Sequence, residues 1–176
     1  MASVALVSVL GPDRVGLVAA IAEHLFDVGV NLRDTTFAAL GSGAEFVALC
    51  ELPQDMTAAA IEEGLKRLPE LAGAEIRAVP YAFDPSPGPS GKITHRIAIS
   101  GGDQLGLVAR LAEVFKQYEA NIVRLEARKL PDAEGGLYVT RFAVSIPAGQ
   151  AELCLATVSN TAGSLSLDCR VEESSL

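Results

Sequence analysis

An internal repeat constrains this chain more than any other feature of its sequence. Residues 13–23 (DRVGLVAAIAE) align with residues 103–113 (DQLGLVARLAE), and Asn31 aligns with Asn121 at the same spacing. Eight of the 19 positions from 13 to 31 are identical in the two copies, whereas about one identity is expected between unrelated segments of ordinary composition. The chain of 176 residues is therefore a tandem duplication, and its two halves are expected to share one fold.

A short segment rich in proline and glycine separates the two copies. Residues 83–91 (FDPSPGPSG) contain three prolines and two glycines, a composition that neither a helix nor a central strand tolerates. Such a segment is typical of a semi-rigid linker. We therefore predict a first domain over residues 1–82, a linker over residues 83–91 and a second domain over residues 92–176.

The hydrophobic pattern assigns the same order of elements to each half. Apolar residues that recur every three or four positions, such as Val18, Ile21 and Leu25, predict helices, and β-branched runs predict strands. The first half is predicted as strand, helix, strand, strand, helix and strand over residues 3–10, 14–28, 31–40, 44–52, 57–71 and 74–79. The second half repeats this order over residues 92–100, 104–118, 121–130, 137–146, 149–161 and 165–171. The order βαββαβ predicts an α+β fold of two ferredoxin-like domains, each an antiparallel sheet with helices on one face.

The charge balance argues against a nucleic-acid-binding protein. The chain has 14 Lys and Arg against 22 Asp and Glu, so its formal net charge is −8 at pH 7. An acidic chain repels a phosphate backbone unless it carries a local basic patch. The densest basic stretch along the sequence, Arg124, Arg128 and Lys129, is interrupted by Glu126. We therefore predict no direct contact with nucleic acid.

The sequence also lacks the signals of membrane insertion, secretion and metal binding. No apolar run approaches the roughly 20 residues of a membrane span, and the apolar N-terminus has no basic leader. The three cysteines, Cys50, Cys154 and Cys169, have no CxxC spacing, which argues against a disulfide framework and a zinc site. We expect a cytoplasmic protein that contacts no membrane and needs neither a metal nor a cofactor.

Glycine recurs at one position of the first predicted helix of each half. Gly16 and Gly106 fall in a predicted first turn, where glycine costs up to about 1 kcal/mol relative to alanine. Asp13 precedes that helix at the place of an N-cap. A missing Cβ permits close approach, either by a ligand carboxylate at the free N–H groups of the helix or by another chain segment, such as a partner domain packed against the loop. Both explanations remain open at this point.

Asparagine opens the second strand of each half. Asn31 and Asn121 belong to a residue type that is rare within strands and common in turns. A side-chain amide offers both a donor and an acceptor, which suits a ligand that carries a carboxylate and an ammonium group. A plain turn explains these residues equally well.

These motifs together resemble the ACT domain. The first half carries Asp-Arg-Val-Gly-Leu-Val at residues 13–18, then an amphipathic helix and Asn31, and the second half carries Asp-Gln-Leu-Gly-Leu-Val and Asn121. Two such domains over nearly the whole chain resemble the glycine cleavage system transcriptional repressor group. The resemblance implies a regulatory module that pairs with another ACT domain and binds a small amino acid between the two. The ligand-binding residues that it implicates are Gly11, Pro12, Asp13, Arg14, Val15, Gly16, Asn31, Gly102, Asp103, Gln104, Leu105, Gly106 and Asn121.

The function expected from the sequence is non-enzymatic regulation. By its resemblance, the chain would form a homodimer through its ACT domains, bind a small amino acid and act on a protein partner, with transcriptional control of amino-acid (glycine) metabolism as the process. The alternatives are a small-molecule enzyme or a pure interaction scaffold on the same fold. An enzyme is disfavoured because the only histidines, His24 and His95, lie in no recognisable catalytic motif. RNA binding on the sheet would need exposed aromatic rings, for which Tyr138 and Phe142 are the candidates in the second half.

Overall fold

The structure divides into two compact units, residues 1–85 and residues 86–176. It is a computed structural model that describes residues 3–86, 88–102, 104–130 and 136–174. The predicted site residue Asp103 and most of the connection between the predicted strands over residues 121–130 and 137–146 lie outside the described residues. The bounds of the linker, residues 83–91, stay a prediction.

Each unit has the predicted βαββαβ order. The first unit consists of β1 (Ser3–Pro12), α1 (Leu17–Asp27), β2 (Asn31–Leu40), β3 (Gly43–Leu52), α2 (Ala58–Lys66) and β4 (Glu75–Pro80). The second unit consists of β5 (His95–Gly101), α3 (Leu107–Gln117), β6 (Asn121–Leu130), β7 (Leu137–Ser145), α4 (Ala151–Ser164) and β8 (Asp168–Glu173). The strand orders β2-β3-β1-β4 and β6-β7-β5-β8 match each other, and every paired strand is antiparallel. The fold predicted from the sequence, two ferredoxin-like domains, is confirmed.

All four helices differ from their predicted bounds by one to five residues, and two of these differences have a clear local cause. Helix α1 begins at Leu17 rather than at residue 14, because its N-cap Gly16 has a left-handed φ of 91°. Helix α2 ends at Lys66 rather than at residue 71, because Leu68 is extended ahead of Pro69 and a residue before proline disfavours the helical conformation. A separate 3₁₀ turn then follows over Pro69–Leu71.

The core of the first unit lies between the helices and one face of the sheet. Ile21 and Leu25 of α1 and Ile61 and Leu65 of α2 are buried against strand residues such as Phe46. Leu17, and not the predicted Val18, completes the buried stripe of α1. Ile21 and Leu25 are buried as predicted, whereas Val18 is 39% exposed.

The second unit repeats this arrangement with its own residues. Leu107, Leu111 and Phe115 of α3 are buried against Phe142 of β7, with the two phenylalanine ring centroids 5.2 Å apart. Each unit therefore has a separate hydrophobic core. No helix in the described part of the chain is long and apolar enough to cross a membrane.

We expect the two paired phenylalanines of the first sheet to differ in their effect on stability. Phe37 of β2 lies opposite Phe46 of β3, but Phe46 is 1% exposed and Phe37 is 43% exposed. Phe46→Ala should lower the free energy of unfolding by about 3–5 kcal/mol, because it leaves a cavity in the core. Phe37→Ala should lower it by less than about half as much. Urea denaturation followed by far-UV circular dichroism measures both, and equal losses would contradict this description of the core.

Candidate functional site

The predicted loops join the first strand to the first helix in each unit. In the first unit, residues 13–16 connect β1 to α1, and Gly16 has a φ of 91°. In the second unit the corresponding Gly106 has a φ of 79°. A left-handed conformation favours glycine, since other residues are strained there. A Cβ on either glycine would meet nothing within 4 Å, so no packing contact in the same unit accounts for the repeat.

The first turn of each helix is left without a side-chain cap. Asp13, expected as the N-cap, does not cap α1; the N-cap is Gly16, and no side chain bonds to the helix start. The backbone N–H of Asp13 instead donates to the carbonyl of Ser42 at 3.0 Å. The N–H groups of Val18 and Ala19 have no hydrogen-bond acceptor within the described ranges. Free N–H groups at the positive end of a helix dipole are a favourable place for a carboxylate.

A depression lies beside each loop. In the first unit it has a volume of about 450 Å³ and is lined by the loop, the first turn of α1 and the ring of Phe37. In the second unit it has a volume of about 290 Å³ and is lined by Gln104, Leu105 and the first turn of α3, with Tyr138 beside them. Sequence reasoning missed both aromatic residues of these walls. Phe37 and Tyr138 come from non-equivalent strands, β2 and β7, so the repeat gave no signal for them.

The residue before each of these glycines exposes an aliphatic side chain completely. Val15 and Leu105 occupy the same place in the two repeats, and both are fully exposed. Single exposed apolar residues are common on protein surfaces. This pair is distinguished by its recurrence at the same loop position in both halves. Each loop therefore offers an exposed apolar side chain to a ligand or a second domain.

The remaining loop residues have different surroundings. Gly11 lies in β1, where a Cβ would come within 2.7 Å of the Cβ of Ala74, so packing explains this glycine. Arg14 donates to the carbonyl of Glu70 at 3.4 Å. Pro12 ends β1 opposite Gly43, and Gly102 is exposed.

The structure places the two asparagines at the far end of the sheet from the loops. Asn31 pairs with Glu51 at one end of β2, whereas Leu40 at the other end pairs with Gly43, next to the loop. Nine residues of strand separate these ends by about 30 Å. Within one unit Asn31 therefore does not reach the loop, and the two parts of the predicted site can meet only across a pair of domains.

Both asparagine amides are held by their nitrogen atoms. Nδ2 of Asn31 donates to Oε2 of Glu51 at 3.0 Å, and Nδ2 of Asn121 donates to the carbonyl of Ser90 at 2.8 Å. These bonds leave the side-chain carbonyl oxygen of each amide as an acceptor. An ammonium group is a suitable donor for such an oxygen.

The three cysteines and His95 lie wholly or partly inside the two units. Burial raises the pKa of the Cys50 thiol to about 11 and also raises the pKa values of Cys154 and Cys169. The ring of His95 is largely buried, and its Nδ1 lies 2.9 Å from Oγ1 of Thr94. Within the described ranges, no three His, Cys, Asp or Glu side chains come together as metal ligands.

We expect Cys50 to be unreactive in the folded protein. A thiol of pKa about 11 is a thiolate in only about one molecule in a thousand at pH 8, and the residue is fully buried. Alkylation of Cys50 by iodoacetamide at pH 8 should be at least roughly 100-fold slower in the native protein than in urea. Mass spectrometry of the labelled peptides measures both rates. Equal rates would show that the Cys50 thiol is accessible and ionised, and would contradict this prediction.

Comparison with known proteins agrees with this architecture. Residues 3–79 match the family model of the ACT domain, so the expected resemblance is confirmed for the first half. An unknown protein from Galdieria sulphuraria shares 25% sequence identity and superposes with a TM-score of 0.79 over 99% of this chain and 100% of that one. A candidate glycine cleavage system transcriptional repressor shares 13% identity, with a TM-score of 0.70 over 100% of this chain and 99% of that one. No curated protein matches the sequence.

Proposed function

We propose that this chain, which is built of two units of the ACT fold, binds a small amino acid and transmits its presence to a protein partner without catalysing a reaction. The observation that carries the proposal is the uncapped helix start beside a left-handed glycine, found in both units with open space above it. The ligand-binding residues that we propose are those predicted from the sequence, with Phe37 and Tyr138 added as the aromatic walls.

The groups at the first loop suit the carboxylate of an amino acid. The free N–H groups of Val18 and Ala19 are donors at the positive end of α1. The Arg14 guanidinium adds a positive charge in the same depression. The second loop has Gln104 at the equivalent position, so it offers no charge there and we expect it to bind the ligand more weakly.

A second copy of the chain would supply the acceptor for the ammonium group. Strand β2 is an edge of its sheet and is ten residues long, and unpaired edges of this length favour pairing with another strand. If two β2 strands pair antiparallel about a twofold axis, the start of one strand lies against the end of the other. Asn31 of one copy then approaches the loop of its partner. The ligand would bridge the two copies, so it could bias their relative arrangement.

The proposed output is a contact with another protein. The net charge of −8 disfavours direct binding to DNA. The neighbour that is named as a candidate glycine cleavage system transcriptional repressor suggests transcriptional control of glycine metabolism in the cytoplasm as the process. A protein partner that itself contacts DNA or the transcription machinery would fit both observations.

A melting screen with the twenty amino acids tests ligand binding. One small amino acid should raise the melting temperature, because a ligand that binds only the folded state stabilises it by about 2.7 kcal/mol at 100 times its Kd. Gly16→Ala should abolish the larger part of this rise by straining the first loop, so that only the weaker second site contributes. Gly29→Ala is the matched control, because Gly29 also has a positive φ, 75°, but follows α1 at the other end of the helix. A screen without any rise, or an undiminished rise in Gly16→Ala, would contradict the proposal.

Mixing two variants tests whether the site is shared between copies. Asn31→Ala should lower the rise in melting temperature as much as Gly16→Ala does, although Asn31 lies far from the loop of its own unit. Unfolding Gly16→Ala and Asn31→Ala chains together and refolding them should form mixed dimers in which one of the two sites is intact. Random reassociation makes about half of the dimers mixed, so the rise should return at about a quarter of the first-unit sites. If the mixture behaves like the separate variants, the site is not built across two copies.

A further inference from the structure

The open face of the second sheet carries a cluster of arginines that the sequence does not show. Four strands contribute to it: Arg96 lies on β5, Arg124 on β6, Arg141 on β7 and Arg170 on β8. All four line a depression of about 390 Å³ on the sheet face away from the helices. This cluster is not visible along the sequence, because strand pairing brings together residues that lie far apart along the chain. We call this surface the arginine face.

The strand register places a small residue between each pair of arginines. Ala143 of β7 pairs with Arg96 on one side and with Arg124 on the other. Ala98 of β5 pairs with Arg141 on one side and with Arg170 on the other. Neighbouring strands are about 5 Å apart, so the two arginines of each pair start roughly 10 Å apart above a methyl floor. Two guanidinium groups can converge over such a floor on one anionic group.

Most of these arginines lack an acidic partner. Glu126 lies 4.0 Å from Arg141, and its stronger contact, at 2.8 Å, is with Arg128. No carboxylate in the part of the chain that the structure describes lies within ion-pairing distance of Arg96, Arg124 or Arg170. Exposed arginines without partners can bind an anion and need not first break an existing ion pair.

The duplication shows that the fold itself does not require these arginines. In the first unit Leu6 pairs with Leu49, and Ser8 pairs with Val47. The pair Ala5–Cys50 of the first unit is equivalent to the pair His95–Val144 of the second. Leu6 and Leu49 are therefore equivalent to Arg96 and Ala143. Ser8 and Val47 are equivalent to Ala98 and Arg141. The middle of the open face is thus apolar in one copy and cationic in the other. Arg170 has a counterpart in Arg77, which pairs with Ser8 as Arg170 pairs with Ala98. Arginines on the two central strands are found in the second unit alone.

The surface does not suit a nucleic acid. Phe142 is buried in the core of the second unit, and Tyr138 packs against that core. Neither ring is therefore available on the open face to stack with a base. Glu126 and Glu172 also line the depression and would repel a continuous phosphate backbone. A compact anion that fits between the two carboxylates is the better match.

We propose that the arginine face binds a small organic molecule with at least two anionic groups, phosphate or carboxylate, one above Ala143 and one above Ala98. These two positions are one strand and two residues apart, which corresponds to about 8 Å. The proposed site lies wholly in the second unit and does not depend on the amino-acid site proposed above. It requires no chemical step, only charge-assisted hydrogen bonds from the guanidinium groups.

Calorimetric titration at low ionic strength tests this proposal on the full chain. Tripolyphosphate is the phosphate probe, citrate is the carboxylate probe, and poly-L-glutamate tests whether an acidic protein surface is bound instead. At least one small probe should bind, and its affinity should fall roughly tenfold or more in Arg96→Gln/Arg124→Gln. Arg110→Gln is the matched control for charge, because Arg110 is an exposed arginine of α3 in the same unit. It should change the affinity by less than about twofold.

A second variant tests shape without changing the charge. Ala143→Leu should fill the floor between Arg96 and Arg124 and weaken binding by a similar factor. The fold should tolerate this change, because the first unit has Leu49 at the equivalent position, and far-UV circular dichroism checks that it does. The proposal is overturned if neither small probe binds, if only poly-L-glutamate binds, if Arg110→Gln weakens binding as much as the double variant, or if Ala143→Leu binds normally. Gly16→Ala should bind the probes normally, so failure of the amino-acid site would be seen separately.

Discussion

The left-handed backbone at Gly16 and Gly106 is the constraint on which the candidate site depends. With φ at 91° and 79°, each glycine turns the chain into its helix and becomes the N-cap itself. A serine, threonine or aspartate at that position could accept a hydrogen bond from the first-turn N–H groups with its side-chain oxygen, but only glycine adopts this conformation without strain. The cost is an uncapped first turn. The consequence is a set of free N–H groups at the surface, which an external carboxylate can satisfy.

Sheet geometry then decides which residues can act together. Within one unit, β2 holds Asn31 about 30 Å from the loop at which Gly16 lies. The same strand is an edge of its sheet. If the β2 strand of a second chain paired with it antiparallel, Asn31 of that second chain would lie near the loop. A ligand site that no single domain contains would link binding to association. Such a link is what a sensor needs, because a ligand shifts an equilibrium only through different affinities for its two states.

The two units share one arrangement of strands and helices, but their surfaces differ. The two sheets have the same strand order and equivalent register, yet the open face is apolar around Leu6 and Leu49 in the first unit and arginine-rich around Ala143 in the second. The loops differ as well, with Arg14 in one and Gln104 in the other. Since each unit has its own core, surface changes in one unit need not disturb the other. The surfaces of the two halves can therefore diverge independently of each other.

The sequence by itself determined the repeat, the βαββαβ order and the bounds of β2 and β6, because periodicity of apolar residues is a local property of the chain. It also pointed to Gly16 and Gly106, although the reason for them was a positive φ and not close packing. Tertiary structure decided that Phe37 and Tyr138 form the walls beside the loops, that Asn31 lies at the far end of its strand, and that Arg96, Arg124, Arg141 and Arg170 share one surface. The physical reason is that strand pairing joins residues distant in sequence, and its register is fixed by the burial of a whole sheet face and not by any one residue.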